Sequence, residues 1–276
     1  MILLPPSFRE QTRVKNILLH VEDDPGMEAR FQTALSLARY QDGHLICLQV
    51  TPTPYFPADG AISPETFNLF IDSVEVPARE LRAALEARLN SDMVSWDWRV
   101  RSGDTAIEIL REALLADVIV VGTGDEAPDL SVAGALLVHG HVPILAVPGN
   151  TLQFDPCSPV MIAWNGTVEA ANSVRHSLAL TRAAASIHVV TITEDPLDSP
   201  PAEVASYLSR HGIHVEIHER QAEPSVAETL KASARELGAS CIVMGGYGHS
   251  RFRERVFGGV TRAMLQDCPI SLLLSH

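Results

Sequence analysis

The chain sets out one plan of strands and helices and then repeats it. That duplication limits its fold more than any other feature. Asn16-Ile17-Leu18-Leu19-His20-Val21 is a short apolar run, followed by a turn at Glu22-Asp23-Asp24-Pro25-Gly26 and a helical pattern through Phe31, Ala34, Leu35, Leu37 and Ala38. Val160-Met161-Ile162-Ala163-Trp164 opens the second half in the same way, turning at Asn165-Gly166-Thr167 into a helix through Val174, Leu178, Ala179 and Leu180. Second strands follow at Leu45 to Val50 and Ile187 to Ile192. Fourth strands run from Asp117 to Val121 and from Ser240 to Met244, each after a helix beginning near Asp104 or Pro224. Both halves close on a run introduced by proline, Pro143 to Val147 and Pro269 to Leu274, and proline is accepted at the first residue of a strand. Strands apolar at consecutive positions, alternating with amphipathic helices, belong to a parallel sheet covered on both faces. Each half is therefore expected to be an α/β unit with a five-stranded parallel sheet and right-handed crossovers.

At 276 residues the chain is long for one core and natural for two domains of about 140. The joint falls between Pro148-Gly149-Asn150 and Asp155-Pro156-Cys157-Ser158-Pro159, which divides 1–150 from 151–276. Two like domains in tandem pack as a pseudo-symmetric pair that imitates the contact of a homodimer. If the chain is instead an interaction module, the edge strands near Ile144 and Ile270 are the expected surfaces for protein partners or for dimerisation with a second copy.

Charge and cysteine usage exclude several function classes. The net charge is −13, which opposes a nucleic-acid partner, because a phosphate backbone demands a basic face. Residues 1–150 hold −10 of it and residues 151–276 only −3, so the second half is the less hostile to an anion. No run reaches the roughly 18 apolar residues of a membrane span, and Met1 to Pro6 makes a poor signal peptide. The four cysteines (47, 157, 241 and 268) have no paired spacing. A cytoplasmic protein without disulfides is expected.

The chemistry concentrates in Gly245-Gly246-Tyr247-Gly248, which follows the apolar run Cys241 to Met244 and precedes Gly258-Gly259. The spacing is G-x2-G-x9-G over Gly245, Gly248 and Gly258, with Arg251, Arg253 and Arg255 between. Glycines let a backbone approach a ligand closely. Free amides together with a helix N-terminus make an anion site. With these residues and this order of elements, the second half resembles a universal stress protein domain, and the whole chain resembles the tandem universal stress proteins of bacteria. The resemblance implies two tandem Rossmann-like domains, each a five-stranded parallel sheet with helices on both faces. It also implies a stress-response role and the binding of ATP, with or without Mg²⁺, or of another adenine nucleotide. Carried over residue by residue, Ala163, Asn165 and Ile192 would meet the nucleoside. Gly245, Gly246, Gly248, His249, Ser250 and Arg251 would form the phosphate loop, and Gly258, Gly259 and Val260 would open the last helix toward the phosphates. Two departures stand out. Asn165 occupies a position where the family often has Asp, and Gly259 one where it has Ser or Thr. Losing that hydroxyl weakens binding by about 0.5–1.5 kcal/mol, and Thr261 is the nearby hydroxyl that would substitute.

The matching segment of the first half, Gly122-Thr123-Gly124-Asp125-Glu126-Ala127-Pro128-Asp129, keeps the strand and loses the loop. Its carboxylates at 125, 126 and 129 would repel a triphosphate, so residues 1–150 are expected to be a degenerate domain without nucleotide. Gly122-x-Gly124 fails as a dinucleotide fingerprint, since Pro128 interrupts where a helix must start. No Walker sequence occurs. Tyr55, Phe56, Phe67 and Phe70 are read as packing a long helix that runs through Val76, Leu81, Leu85 and Leu89. His214, Glu216 and His218 alternate on a strand, and are read as its polar outer face with no metal assigned. No general base or catalytic set is evident, so the expected role is regulatory and any ATP hydrolysis slow. The alternative is a protein-interaction or dimerisation module whose glycine loop is only structural.

Overall fold

The computed structural model describes residues 13–51, 63–123, 131–151, 154–192, 197–247 and 258–276. The first half runs β1 (Asn16–Val21), α1 (Met27–Gln41), β2 (His44–Thr51), α2 (Pro64–Ser91), β3 (Ser95–Ser102), α3 (Thr105–Glu112), β4 (Val118–Gly122), α4 (Val132–His139) and β5 (Ile144–Val147). The second half repeats it as β6 (Val160–Ala163), α5 (Val168–His176), the short α6 (Leu178–Thr181), β7 (Ile187–Ile192), α7 (Pro201–Arg210), β8 (Glu216–Arg220), α8 (Val226–Glu236), β9 (Cys241–Gly245), α9 (Gly259–Asp267) and β10 (Ser271–Ser275). Local chemistry explains the helix starts. Asp104, Ser131, Thr167 and Ser225 each cap a helix by accepting a backbone N–H three residues on, from Ile107, Gly134, Ala170 and Glu228.

All ten strands join one sheet, in the order β3-β2-β1-β4-β5-β10-β9-β6-β7-β8. Within each half every pairing is parallel. The halves meet at β5 and β10, which pair antiparallel with Ala146 opposite Leu272, Leu145 opposite Leu273 and Ile144 opposite Leu274. This is the α/β architecture expected, with a seam added that makes the two sheets continuous. The strands near Ile144 and Ile270 pair with each other inside the chain. The expectation that these edges are open to a second copy is corrected: a strand hydrogen-bonded on both sides has no ladder left to offer.

Two cores cover the two faces, and each crosses the seam. Ile17, Leu19, Phe31, Leu145, Val147, Val160, Ile162, Val189 and Leu273 belong to one. Leu18, Ile119, Leu137, Ile144, Ala146, Met161, Ile242, Leu272 and Leu274 belong to the other. Adjacent residues of one strand therefore serve opposite cores, which is why the strands read as unbroken apolar runs. Among the described residues no helix is long and apolar enough to cross a membrane. Tyr55 and Phe56, and the side chains of Phe67 and Phe70, lie outside the described residues.

Candidate functional site

In the second half the strand order reverses between β6 and β9, and open α/β sheets place ligands in the crevice beyond the strands' carboxyl ends at such a point. A cleft of about 270 Å³ lies there. Val190, Ile192, Met244, Val226 and Leu230 give it an apolar wall, and Asn165, Thr167, Gly245 and Gly258 to Thr261 give it a polar mouth. Helix α9 starts at that mouth. Its first N–H groups have no intrahelical acceptor and carry the positive end of the helix dipole.

The cleft brings together Ala163, Asn165, Ile192, Gly245, Gly258, Gly259 and Val260. Gly248, His249, Ser250 and Arg251, with Arg253 and Arg255, lie outside the described residues. Gly246 lies elsewhere. It is buried, its N–H donates to Ser275 O at 2.8 Å, and a Cβ there would stand 2.7 Å from Leu137 Cγ of α4. Its small size serves contact between the halves. Gly245 has a packing reason of its own, because a Cβ would stand 2.6 Å from Ala170 N, in the first turn of α5. Gly259 has no such constraint, for nothing described lies within 4 Å of the Cβ it lacks.

The two departures noted in the sequence acquire a geometry. Asn165 Oδ1 accepts the Thr167 hydroxyl at 2.9 Å and the Thr167 N–H at 3.3 Å. It therefore orders the turn into α5, an office that an Asp oxygen would fill equally. Thr261 is buried, and its Oγ1 accepts Tyr247 N–H at 3.3 Å. That bond ties the first turn of α9 to the end of β9, where Tyr247 sits at φ 51°. Apart from Ile192, the apolar wall escaped the sequence reading. Val226 and Leu230 are one helical turn apart on α8, but only the tertiary structure carries that face to the ends of β7 and β9.

The first half differs at the equivalent place. A hollow of about 700 Å³, larger than the cleft, is bordered by His20, Glu22, Asp24, Arg30 and Gly122, and by Gln266 and Asp267 from the other half. Arg30 is almost fully buried and forks onto Asp24, with Nη1–Oδ1 at 3.0 Å and Nη2–Oδ2 at 2.6 Å. Asp24 Oδ1 also accepts Gly26 N–H at 2.6 Å, at the start of α1. The Cβ direction of Gly122 points at Arg30 Nη1, 2.7 Å away. The chain's own carboxylate thus orders the turn into α1, and a neutralised guanidinium covers the strand end. His20 is buried beside this pair. Desolvation chiefly, then the Arg30 charge, lowers its pKa from 6.5 to about 4, against an opposing pull from Asp24. The acidic residues Asp125, Glu126 and Asp129 lie outside the described residues. Size alone would favour this hollow, but the carboxylates of Glu22, Asp24 and Asp267 on its border favour the smaller cleft for phosphates.

The sequence profile of the universal stress protein family matches residues 13–148 and again residues 157–276. No curated protein matches the chain. Among solved structures it is similar to a universal stress protein from Archaeoglobus fulgidus DSM 4304, with a TM-score of 0.77 at 15% identity over 96% of this chain and 98% of that one. It is also similar to a functionally unknown protein from Pseudomonas aeruginosa PAO1, with a TM-score of 0.62 at 14% identity over 97% and 94% of the two chains. A third likeness is to a putative universal stress protein from Pseudomonas aeruginosa UCBPP-PA14, with a TM-score of 0.60 at 15% identity over 97% and 94%. At these identities the likenesses establish the fold.

Proposed function

This chain belongs to the universal stress protein family, and on that premise we propose that its second domain, 151–276, binds one adenine nucleotide as a regulatory ligand. The observation that carries the proposal is the cleft at the β6/β9 switch point, where an apolar wall meets the N-terminus of α9, whose N-cap residue Gly258 has no side chain to cap it. The base lies against Val190, Ile192 and Leu230, and the phosphates lie toward Gly258 and Gly259, where amides and helix dipole favour negative charge. In this reading the first domain, 1–150, is degenerate, because Asp24 and Arg30 satisfy each other where a ligand would bind. The protein acts in the cytoplasm as a nucleotide-responsive stress factor, and ATP turnover is slow for want of a general base among the described cleft residues.

Isothermal titration with ATP and Mg²⁺ tests this. One site is expected, with affinity falling at least tenfold in Gly248→Asp, which sets a carboxylate in the phosphate loop. Two equal sites would refute the assignment of the first domain. If saturating ATP, ADP and AMP all leave the melting temperature unchanged, the nucleotide reading fails.

A further inference from the structure

A second constellation lies toward the far edge of the sheet, beside Val190 of the cleft. His188 on β7 stands in register with Glu216 on the edge strand β8, and Val190 with His218. In a parallel pair these positions share one face. His214 precedes β8 and takes no part, so the grouping read along one strand is corrected to one formed across two.

Three potential ligand atoms converge there. His188 Nδ1 lies 3.2 Å from His218 Nε2 and 3.4 Å from Glu216 Oε2, and His218 Nε2 lies 3.8 Å from the same oxygen. The circle through atoms with these separations has a radius of about 2.0 Å, against bonds of roughly 2.0–2.2 Å from Zn²⁺ to imidazole nitrogen and carboxylate oxygen. A cation a little above their plane would reach all three at bonding distance. Ligand separations around a tetrahedral ion with such bonds are about 3.4 Å, close to those observed.

The surroundings suit the part. His188 is 7% exposed and its other ring nitrogen, Nε2, lies 2.9 Å from Ser186 Oγ. An Nε2–H donated to that hydroxyl leaves the Nδ1 lone pair facing the other ligands, the outer-shell arrangement usual for metal-binding imidazoles. Arg220, the next residue on this face of β8, is tied to Glu236 of α8 at 2.9 Å. Among the described residues Glu216 pairs with no Lys or Arg. It is exposed, so the fourth coordination position opens to water.

We propose that His188, Glu216 and His218 bind a divalent cation of the zinc class, with solvent as the fourth ligand. The ion cross-links the edge strand β8 to β7. It stabilises a strand that, among the described residues, has no partner strand on its outer side.

Titration of the full chain with Co²⁺, followed by visible absorption, reads the site. The wild type is expected to give the intense bands of a tetrahedral ion, displaced by stoichiometric Zn²⁺, and Zn²⁺ should raise the melting temperature. Glu216→Gln and His218→Ala alter exposed or half-exposed side chains and should leave the apo fold intact. Each should weaken binding more than tenfold and abolish the zinc-dependent thermal shift. His214→Ala should change neither. If Glu216→Gln and His218→Ala bind Co²⁺ as the wild type does, or the wild type shows no tetrahedral bands, the proposal is overturned.

Discussion

Gly246 provides the sharpest test of whether the glycines here serve a ligand or the packing between halves. Its φ is not positive, so alanine is conformationally allowed. The added Cβ would stand 2.7 Å from Leu137 Cδ1 and Cγ, and closer still to Cδ2, where unstrained carbons keep about 3.5–4.0 Å. Leu137 is 3% exposed and wedged within the core on the α4 face, so it has no free rotamer to retreat into. Overpacking of this kind costs about 1–3 kcal/mol. Leu137→Ala alone should cost about 2–5 kcal/mol by leaving a cavity. In the double variant the new methyl group enters the space the leucine vacated, so the losses should fall short of their sum by about 1–3 kcal/mol. Urea denaturation of the four proteins, followed by tryptophan fluorescence, measures that coupling. Losses additive within about 0.5 kcal/mol would refute the packing role. A Gly246→Ala protein of unchanged stability but weakened ATP binding would return this residue to the phosphate loop.

Three further outcomes follow from the same geometry. Gly259→Ser, placed where nothing described opposes a side chain, should tighten ATP binding by up to about tenfold, one hydrogen bond's worth; if Gly259→Ala tightens it equally by titration calorimetry, the hydroxyl argument is wrong. His20 is neutral in the fold until about pH 4 but titrates near 6.5 when unfolded, so the unfolded chain binds more protons between those values. Stability at neutral pH should therefore fall by about 3 kcal/mol as pH drops from 6.5 to 4, and His20→Leu should flatten the stability–pH curve between 6.5 and 4.5, before Glu28, held down to about 2 mainly by its hydrogen bond from Arg88, begins to titrate. Burial chiefly pushes the Cys47 and Cys241 thiols up to about 12, whereas Cys157 is exposed. A thiol reagent at pH 8 should label Cys157 in the native protein, and labelling of Cys47 or Cys241 at a comparable rate would contradict the burial.

The elements were legible in the sequence wherever burial on two faces left an unbroken apolar run, as at Ile17 to Leu19 and Ile187 to Val190. The seam was not. Ile144 to Val147 reads the same whether its neighbour runs parallel or antiparallel, because side-chain pattern records burial and not the partner's direction. The glycine loop announced a site but could not apportion its residues. Gly245 and Gly246 are adjacent, yet one borders the cleft while the other receives Leu137 from the opposite half. The grouping of His188 with His218 needed the register of β7 on β8, which a single strand's alternation does not contain.

On the proposed reading, duplication explains how one half can keep a ligand site while the other relinquishes it. Each domain alone would expose the last strand of its sheet, β5 or β10, as an open edge. Joining these edges makes two cores that run through both domains, so the first domain is indispensable to the second as a partner whether or not it binds anything. On that reading, selection for nucleotide contact can then lapse at the β1/β4 switch point. At that place Asp24 accepts Gly26 N–H just ahead of α1 and pairs with the buried Arg30, while α4, the counterpart of α9, is capped by its own Ser131 side chain. Removing Asp24 is the costly change, because it strands the buried Arg30 guanidinium at about 3–5 kcal/mol, whereas Asp24 itself keeps part of its contact with water. On the proposed reading, a triphosphate at that place would have to displace Asp24 from Gly26 and also face Glu22. On the same reading, the second domain starts α9 at Gly258, which has no side chain to cap it, beside a cleft without carboxylates among the described residues, and the incoming phosphate takes the place that Ser131 fills at α4.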